Sequence, residues 1–289
     1  MSKIAILADS GCQLSTNRER GIYIVPLQIT VNEKTYLDQI DLSSKEIFEM
    51  MANDPNCMPK TSQPSVGDIL ETVECIKQSG YTQVIAISIA TGLSSTLSGI
   101  KIACEMAGMD VTLIDSKGTA GNHRYLVEVC ASLIQNGKSA QEIEEVLTDL
   151  IKHSGTLIMA NNLNHLKRGG RITPAVAMLA GMLKIVPVMK LNHELGGKID
   201  ILGKVRTIKH ASDLIVEDML KSMVNGKDYI FTVEHVLADD LVVDLVERLK
   251  TKIPDIDTLT IDLLPTVVGC HMGVGGIGYQ YIKKYKDVK

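Results

Sequence analysis

Gln83-Val84-Ile85-Ala86-Ile87-Ser88-Ile89 is a short run dominated by small and β-branched apolar residues. Ala90-Thr91-Gly92-Leu93-Ser94-Ser95-Thr96 interrupts it with glycine and hydroxyls, and a helical pattern over residues 95–107 follows, closed by Gly108. A second apolar run, Val111 to Asp115, comes next. Buried strand, helix, buried strand is the repeating unit of a parallel sheet with crossover helices. The same alternation extends in both directions. Lys3 to Ala8, Thr156 to Ala160, Tyr229 to Val233 and Thr258 to Leu263 read as further strands. Helical patterns cover 44–52, 66–79, 120–136, 140–152, 211–224 and 239–251.

The helix ends are marked chemically. Ser43-Ser44-Lys45-Glu46 and Ser65-Val66-Gly67-Asp68 have capping-box spacing, while Gly80, Gly108 and Gly137 stand where helices end in a left-handed residue. Asp239-Asp240 puts negative charge at the positive end of its helix. Between Lys184 and Thr207 the pattern changes: two apolar stretches, Ile185 to Met189 and Lys198 to Val205, flank Gly196-Gly197, as in a β-hairpin. The fold class expected is therefore α/β in two domains, a parallel-sheet domain over residues 1–157 and a second α/β domain over 158–289, with the boundary near 154–162.

The 289 residues suffice for two such domains, and 45% hydrophobic with 22% charged residues excludes disorder and coiled coil for the whole chain. A net charge of −4 argues against nucleic acid as a partner, and the one dense basic cluster, Lys283, Lys284, Lys286 and Lys289, reads as a solvated tail. Six cysteines contain no CxxC pair, the first apolar run meets Asp9 too early for a signal peptide, and no stretch is apolar enough for a membrane span. A reduced, cytoplasmic protein is expected. With no Trp, 2 Phe and 13 Met, the interior is aliphatic and thioether in character. Such surroundings adapt to a hydrocarbon chain better than to a flat ring. Met50, Met51, Met106, Met178 and Met182 are candidate lining, with ordinary core packing the alternative for each.

Gly273-Val274-Gly275-Gly276-Ile277-Gly278 matches GxGxxG in letters alone, because eleven residues cannot complete the βαβ unit of a dinucleotide site. A tight turn, or backbone that must come close to something, is expected there. There is no phosphate-cradling GxxxxGK[ST], GxSxG, HExxH or kinase-like HRD segment, and no metal or cofactor is expected. His153, His165, His193, His210 and His235 read as surface or core residues.

What remains is a set of polar loops that an open α/β sheet collects at the carboxyl ends of its strands. Asp9-Ser10-Gly11, Lys60 to Ser65, Thr91 to Thr96, Lys167 to Arg171, Arg206 and His271 belong to it. Hydroxyls beside a free helix N-terminus suit an anion. Each residue also has an ordinary reading as a helix cap, a surface ion pair or a turn.

These residues resemble the DegV-like proteins, which include the fatty-acid-binding subunits of bacterial fatty acid kinase. The resemblance runs from the Asp9-Ser10 turn to His271 and is carried by Pro59 to Ser65, Gly92 to Gly99, Leu166 to Ile172, and His271 with its glycines. It implies two α/β domains enclosing one long-chain fatty acid, whose carboxylate a separate ATP-dependent kinase subunit phosphorylates. The chain would then be a substrate-binding subunit and no enzyme by itself. Carried over by position, Thr61 and Ser94, with Ser62 and Ser95 beside them, are implied carboxylate ligands. Arg171, Arg206 and His271 are implied around the head group in support of phosphotransfer or docking, His271 also as a ligand contact. Gly11, Ser95 and Val274 depart from the family's usual Thr, Gly and Pro. Two other readings stay open: a lipid carrier or sensor without a kinase, and a stand-alone enzyme on a small carboxylate using Asp9, Ser10 or His271.

Overall fold

The computed structural model describes residues 3–160, 163–179 and 185–286. In chain order, the first half contains β1 (Ile4–Asp9), β2 (Ile22–Val25), β3 (Gln28–Val31), β4 (Lys34–Leu37), α1 (Ser44–Asn53), β5 (Lys60–Ser62) and α2 (Val66–Gln78). It continues with β6 (Gln83–Ser88), α3 (Thr96–Ala107), β7 (Asp110–Asp115), α4 (Ala120–Gln135) and α5 (Ala140–Lys152). The second half has β8 (Ser154–Met159), α6 (Asn164–Gly169), α7 (Pro174–Ala177), β9 (Val186–Leu191), β10 (Asp200–Val205) and α8 (Ile208–Lys221). It ends with β11 (Tyr229–His235), α9 (Asp239–Lys252), β12 (Leu259–Leu263), α10 (Thr266–Met272) and β13 (Ile277–Lys283).

Three sheets form. β2-β1-β6-β7 is parallel throughout, as the repeat of strand and helix requires. β10-β9-β8-β13-β11-β12 is mixed, its one parallel pair being β11 with β12. The expected hairpin is present as β9 and β10, with a register shift between Ile201 and Gly203. Both expected capping boxes are formed, and Gly108 closes α3 at φ +62°. The expected division between residues 157 and 158 falls inside β8, every residue of which belongs to the six-stranded sheet.

The third sheet, β4-β3-β5, is absent from the sequence-based expectation. Its strands have three or four residues, and Lys34 and Thr35 are exposed, so no apolar run announces them. β13 is a second omission. The turn expected at Gly273 to Gly276 is there, with Gly273 and Gly275 at positive φ, but a strand rather than a tail follows it. Lys283 ends that strand and Lys284 pairs with Asp257, so these two are structured, while Lys289 lies outside the described residues.

The six-stranded sheet divides its side chains by alternation. Leu157, Met159, Tyr279 and Tyr281 pack with α8 and α9, whereas Thr156, Ile158, Gly278 and Gln280 point the other way, toward the parallel-sheet half. α4 fills part of that gap: its N-terminal Asn122 amide donates to Gln280 Oε1 at 3.0 Å. On β11 the outward position is Glu234, fully buried with Arg124 and Asp262 nearby. Burial raises its carboxyl to about 8, although Arg124 and the Gly121 amide draw it down. Folded protein therefore binds this proton where unfolded chain does not, and the stabilisation present below the ordinary carboxyl range is lost as pH rises through about 8. Denaturant midpoints should fall between pH 5 and pH 8 in wild type and fall less in Glu234→Gln, which keeps the shape without the titration; parallel profiles would contradict this placement of the proton.

Candidate functional site

Asp9 ends β1 with its carboxylate buried, accepting from Gly11 N at 3.0 Å, Ser88 Oγ at 2.6 Å and Ile89 N at 2.9 Å. Ser10 Oγ donates to Asp38 Oδ2 at 2.6 Å and accepts from Leu27 N at 3.0 Å. These two residues splice the parallel sheet to the small sheet. Their oxygens are occupied by structure, and neither residue lines the cavity that His271 faces. Of the set considered for a stand-alone enzyme, only His271 faces open space.

That space is a cavity of about 810 Å³, mouth included, between the carboxyl ends of the parallel strands and the outward face of the six-stranded sheet. Its walls are mainly aliphatic, with Leu27 beside β3, Ile158 and Leu191 on the large sheet, and Leu264 and Val267 at the start of α10. No Phe, Tyr or Trp stands among the described lining residues. Of the methionines considered, Met50 and Met51 pack into the core beneath the small sheet, Met106 and Met178 are exposed, and Met182 lies outside the described residues. The thioether in the wall is Met272, one residue past His271.

Polar groups gather at the loops. Thr61, held by its pairing with Ile29 in the small sheet, is 2.7 Å from His271 Nε2 through Oγ1. Ser62 lies beside it and donates to Gln28 Oε1 at 3.1 Å. Ser94 is fixed at the start of α3, where its Oγ accepts from Thr96 N at 3.3 Å and lies 2.8 Å from Thr96 Oγ1. Ser95 is the N-cap by position, but it makes no side-chain cap bond, is exposed and lies outside the lining. Arg171 donates through Nε to Leu93 O at 3.3 Å and through Nη1 to Gly169 O, so its guanidinium stands half-buried over the Ser94 loop. Arg206 follows β10 on the exposed surface, outside the lining.

The structure thus brings Thr61, Ser62, Ser94, Arg171 and His271 to one cavity and leaves Ser95 and Arg206 out of it. His165, read from sequence as an ordinary histidine, lies next to the site: its Nδ1 donates to Cys270 O at 3.1 Å. Burial, with Arg171 and His165 beside it, lowers His271 to about 4. At neutral pH the His271 ring is therefore uncharged. With its proton on Nε2, that ring donates to Thr61 and leaves the Thr61 hydroxyl proton for a ligand oxygen. Thr119, Thr156 and Gln280 also line the cavity and were not singled out in the sequence; the one available signal is a polar side chain inside an otherwise apolar strand, as at 156 and 280.

Close backbone packing surrounds the loops that carry Ser94 and His271. A Cβ on Gly92 would meet Gly197 O at 2.1 Å, so the loop before Ser94 and the β-hairpin turn touch main chain to main chain. A Cβ on Gly169 would meet His271 Nδ1 at 2.0 Å. Glycine at 169 lets the basic loop lie flat against the histidine.

A family model described as an uncharacterised protein of the DegV family matches residues 3–284. The chain belongs to the DegV family. A DegV domain-containing protein of Halalkalibacterium halodurans is 32% identical over 288 residues, covering 98% of this chain and all of that one. Among solved structures, a fatty acid binding DegV family protein from Streptococcus agalactiae is 27% identical with a TM-score of 0.88, covering 99% of this chain and 100% of that one. DegV of Bacillus subtilis, described as a fatty acid binding protein, is 29% identical with a TM-score of 0.82, covering 98% and 100%. The mixed α/β architecture is thus that of DegV structures. Among the described residues there is no group of three or more His, Cys, Asp or Glu able to hold a metal ion, and no helix is long and apolar enough to cross a membrane.

Because His271 stays neutral in the fold, unfolded chain takes up a proton there first as pH falls, and the associated stability is lost from about 6.5 down toward about 4. Histidine NMR of the protein without ligand should show one ring that does not titrate between pH 7.5 and 5.5 and that His271→Gln removes. An ordinary midpoint for that resonance would refute the placement.

Proposed function

We propose that this DegV protein holds one long-chain fatty acid in the aliphatic cavity and presents its carboxylate at Thr61 and Ser94 to a separate ATP-dependent kinase subunit. The observation that carries the reading is a cavity apolar along its walls, with neutral hydroxyl donors and one arginine gathered on its loops. Fatty acid binding by the Streptococcus agalactiae and Bacillus subtilis DegV proteins supports it. Burying about fifteen methylenes at ~0.8 kcal/mol each gives on the order of 12 kcal/mol before association and ordering costs. Two hydroxyl contacts at about 1 kcal/mol apiece are small beside that. The tail supplies affinity and the head-group residues supply orientation.

Neutral donors also suit a carboxylate that must act as nucleophile, since a bidentate arginine would hold both oxygens and blunt them. In the reaction a carboxylate oxygen forms a bond to the γ-phosphorus of ATP while the bond to the bridging oxygen breaks, yielding acyl phosphate and ADP. The nucleotide site belongs to the partner, in keeping with the missing phosphate-cradling motif in this sequence. Arg171 beside Ser94 offsets the negative charge that the phosphoryl group brings. Arg206, exposed beyond the cavity, is assigned to docking or to the incoming phosphoryl group. His271 acts as a neutral ring that orients Thr61. A domain division close to residue 157 is part of the same proposal. So is residence in the cytoplasm, where ATP is available.

Lipid extracted from freshly purified protein should contain about one acyl chain per polypeptide. Incubation with ATP should give no acyl phosphate until a kinase subunit is added; product without it would make the chain an enzyme. With lipid bound but no kinase able to act on it, the carrier or sensor reading would replace this one. In the reconstituted reaction Arg206→Ala should keep wild-type lipid content while transfer falls roughly tenfold or more. Loss of lipid with undiminished transfer per bound chain would overturn that division of roles.

A further inference from the structure

Within the apolar wall there is a second polar group of residues, on different elements from the first. Gln280 of β13 is buried, and its amide is oriented by three bonds: Oε1 accepts from Asn122 N at 3.0 Å, and Nε2 donates to Thr119 O at 3.0 Å and Thr156 Oγ1 at 3.2 Å. A backbone N–H can only donate and a backbone carbonyl can only accept, so the amide has one orientation. Thr156 Oγ1 therefore accepts from Gln280 and keeps its own proton for another oxygen. Thr119 precedes α4 at the N-cap position, yet its hydroxyl makes no cap bond, unlike that of Thr207 at the start of α8. Thr119 Oγ1 is buried, lines the cavity and has no hydrogen-bond partner at all.

An unpartnered hydroxyl in an apolar cavity is costly, and buried polar groups are otherwise paired almost without exception. A saturated hydrocarbon passing this point would leave Thr119 unpaired. An oxygen substituent on the chain would satisfy it: a ligand hydroxyl can donate to Thr119 Oγ1 while accepting the Thr156 proton. Building on the fatty-acid reading above, we infer that Thr119 and Thr156 select an acyl chain bearing a hydroxyl along its length over the unsubstituted chain. Gln280 acts as a positioning residue, holding Thr156 and the α4 N-terminus in place.

The test is a competition. Lipid-free protein is offered equimolar octadecanoic acid and its monohydroxylated forms, with the hydroxyl placed at successive carbons from the middle to the end of the chain, and the retained acids are counted by mass spectrometry. At least one positional isomer should be retained about fivefold over the plain acid, the worth of one net hydrogen bond. Thr119→Val, nearly the same shape without the hydroxyl, should bring that ratio close to one, and Thr119→Ser should restore it. A wild-type ratio near one for every isomer, or a preference that survives Thr119→Val, would overturn the inference, and so would the retention of a water that both acids leave in place. Equal loss of all acids in Thr119→Val, rescued by Thr119→Ser, would assign Thr119 to the head group and also overturn it. Wild-type protein retaining no acid of any kind would instead overturn the fatty-acid reading on which this one rests.

Discussion

A buried amide, Gln280, helps tie the two halves of the molecule together across the cavity. Gln280 reaches from the six-stranded sheet to the first turn of α4, and its three bonds leave no spare capacity on the Nε2 side. Removing it would leave the Asn122 backbone amide an orphan, at a cost of about 1–3 kcal/mol when buried. Aliphatic packing alone would draw the halves together, since filling space is what apolar side chains gain from. A directional bond resists that collapse. The Asp9–Ser10 splice does comparable work at the other end, where it fixes the small sheet, and with it Thr61, relative to the carboxyl ends of the parallel strands.

Much of the frame can be read from local chemistry. The capping boxes at Ser43 and Ser65 formed with their reciprocal bonds, and the helices lie within a few residues of where periodicity puts them, because both signals act over three to four residues. The α8 helix begins at Ile208, three residues before the expected start, since Thr207 rather than the first apolar residue supplies the cap. What local chemistry misses is structure made by long-range pairing. β5 is three residues long and exists only because β3 lies beside it. α10 has seven residues, too few for a period to show, yet it delivers His271 to the cavity.

The site was legible in a different way. Thr61 and His271 are 210 residues apart in sequence and 2.7 Å apart in space, and no spacing rule joins them. Resemblance to a family supplied their names, and the fold supplied their relation. The resemblance gave no warning of the neutral state of His271, which depends on burial and on Arg171 and His165 arriving from another loop. Composition left open, for each methionine considered, whether it lines the cavity or packs in the core. A thioether fits a protein core as well as a ligand wall, and Met51 went to the first while Met272 went to the second.

The alternation along β8 and β13 has an evolutionary side. Ile158 and Gln280 face the cavity, while their neighbours Leu157 and Tyr279 belong to the helix-covered interior of the same sheet. Change in the cavity wall is thereby confined to every second residue of these strands. Descendants of this chain could reshape that wall through 156, 158, 278 and 280 while inheriting 157, 159, 279 and 281 almost unaltered, and a one-residue insertion in either strand would forfeit both inheritances at once.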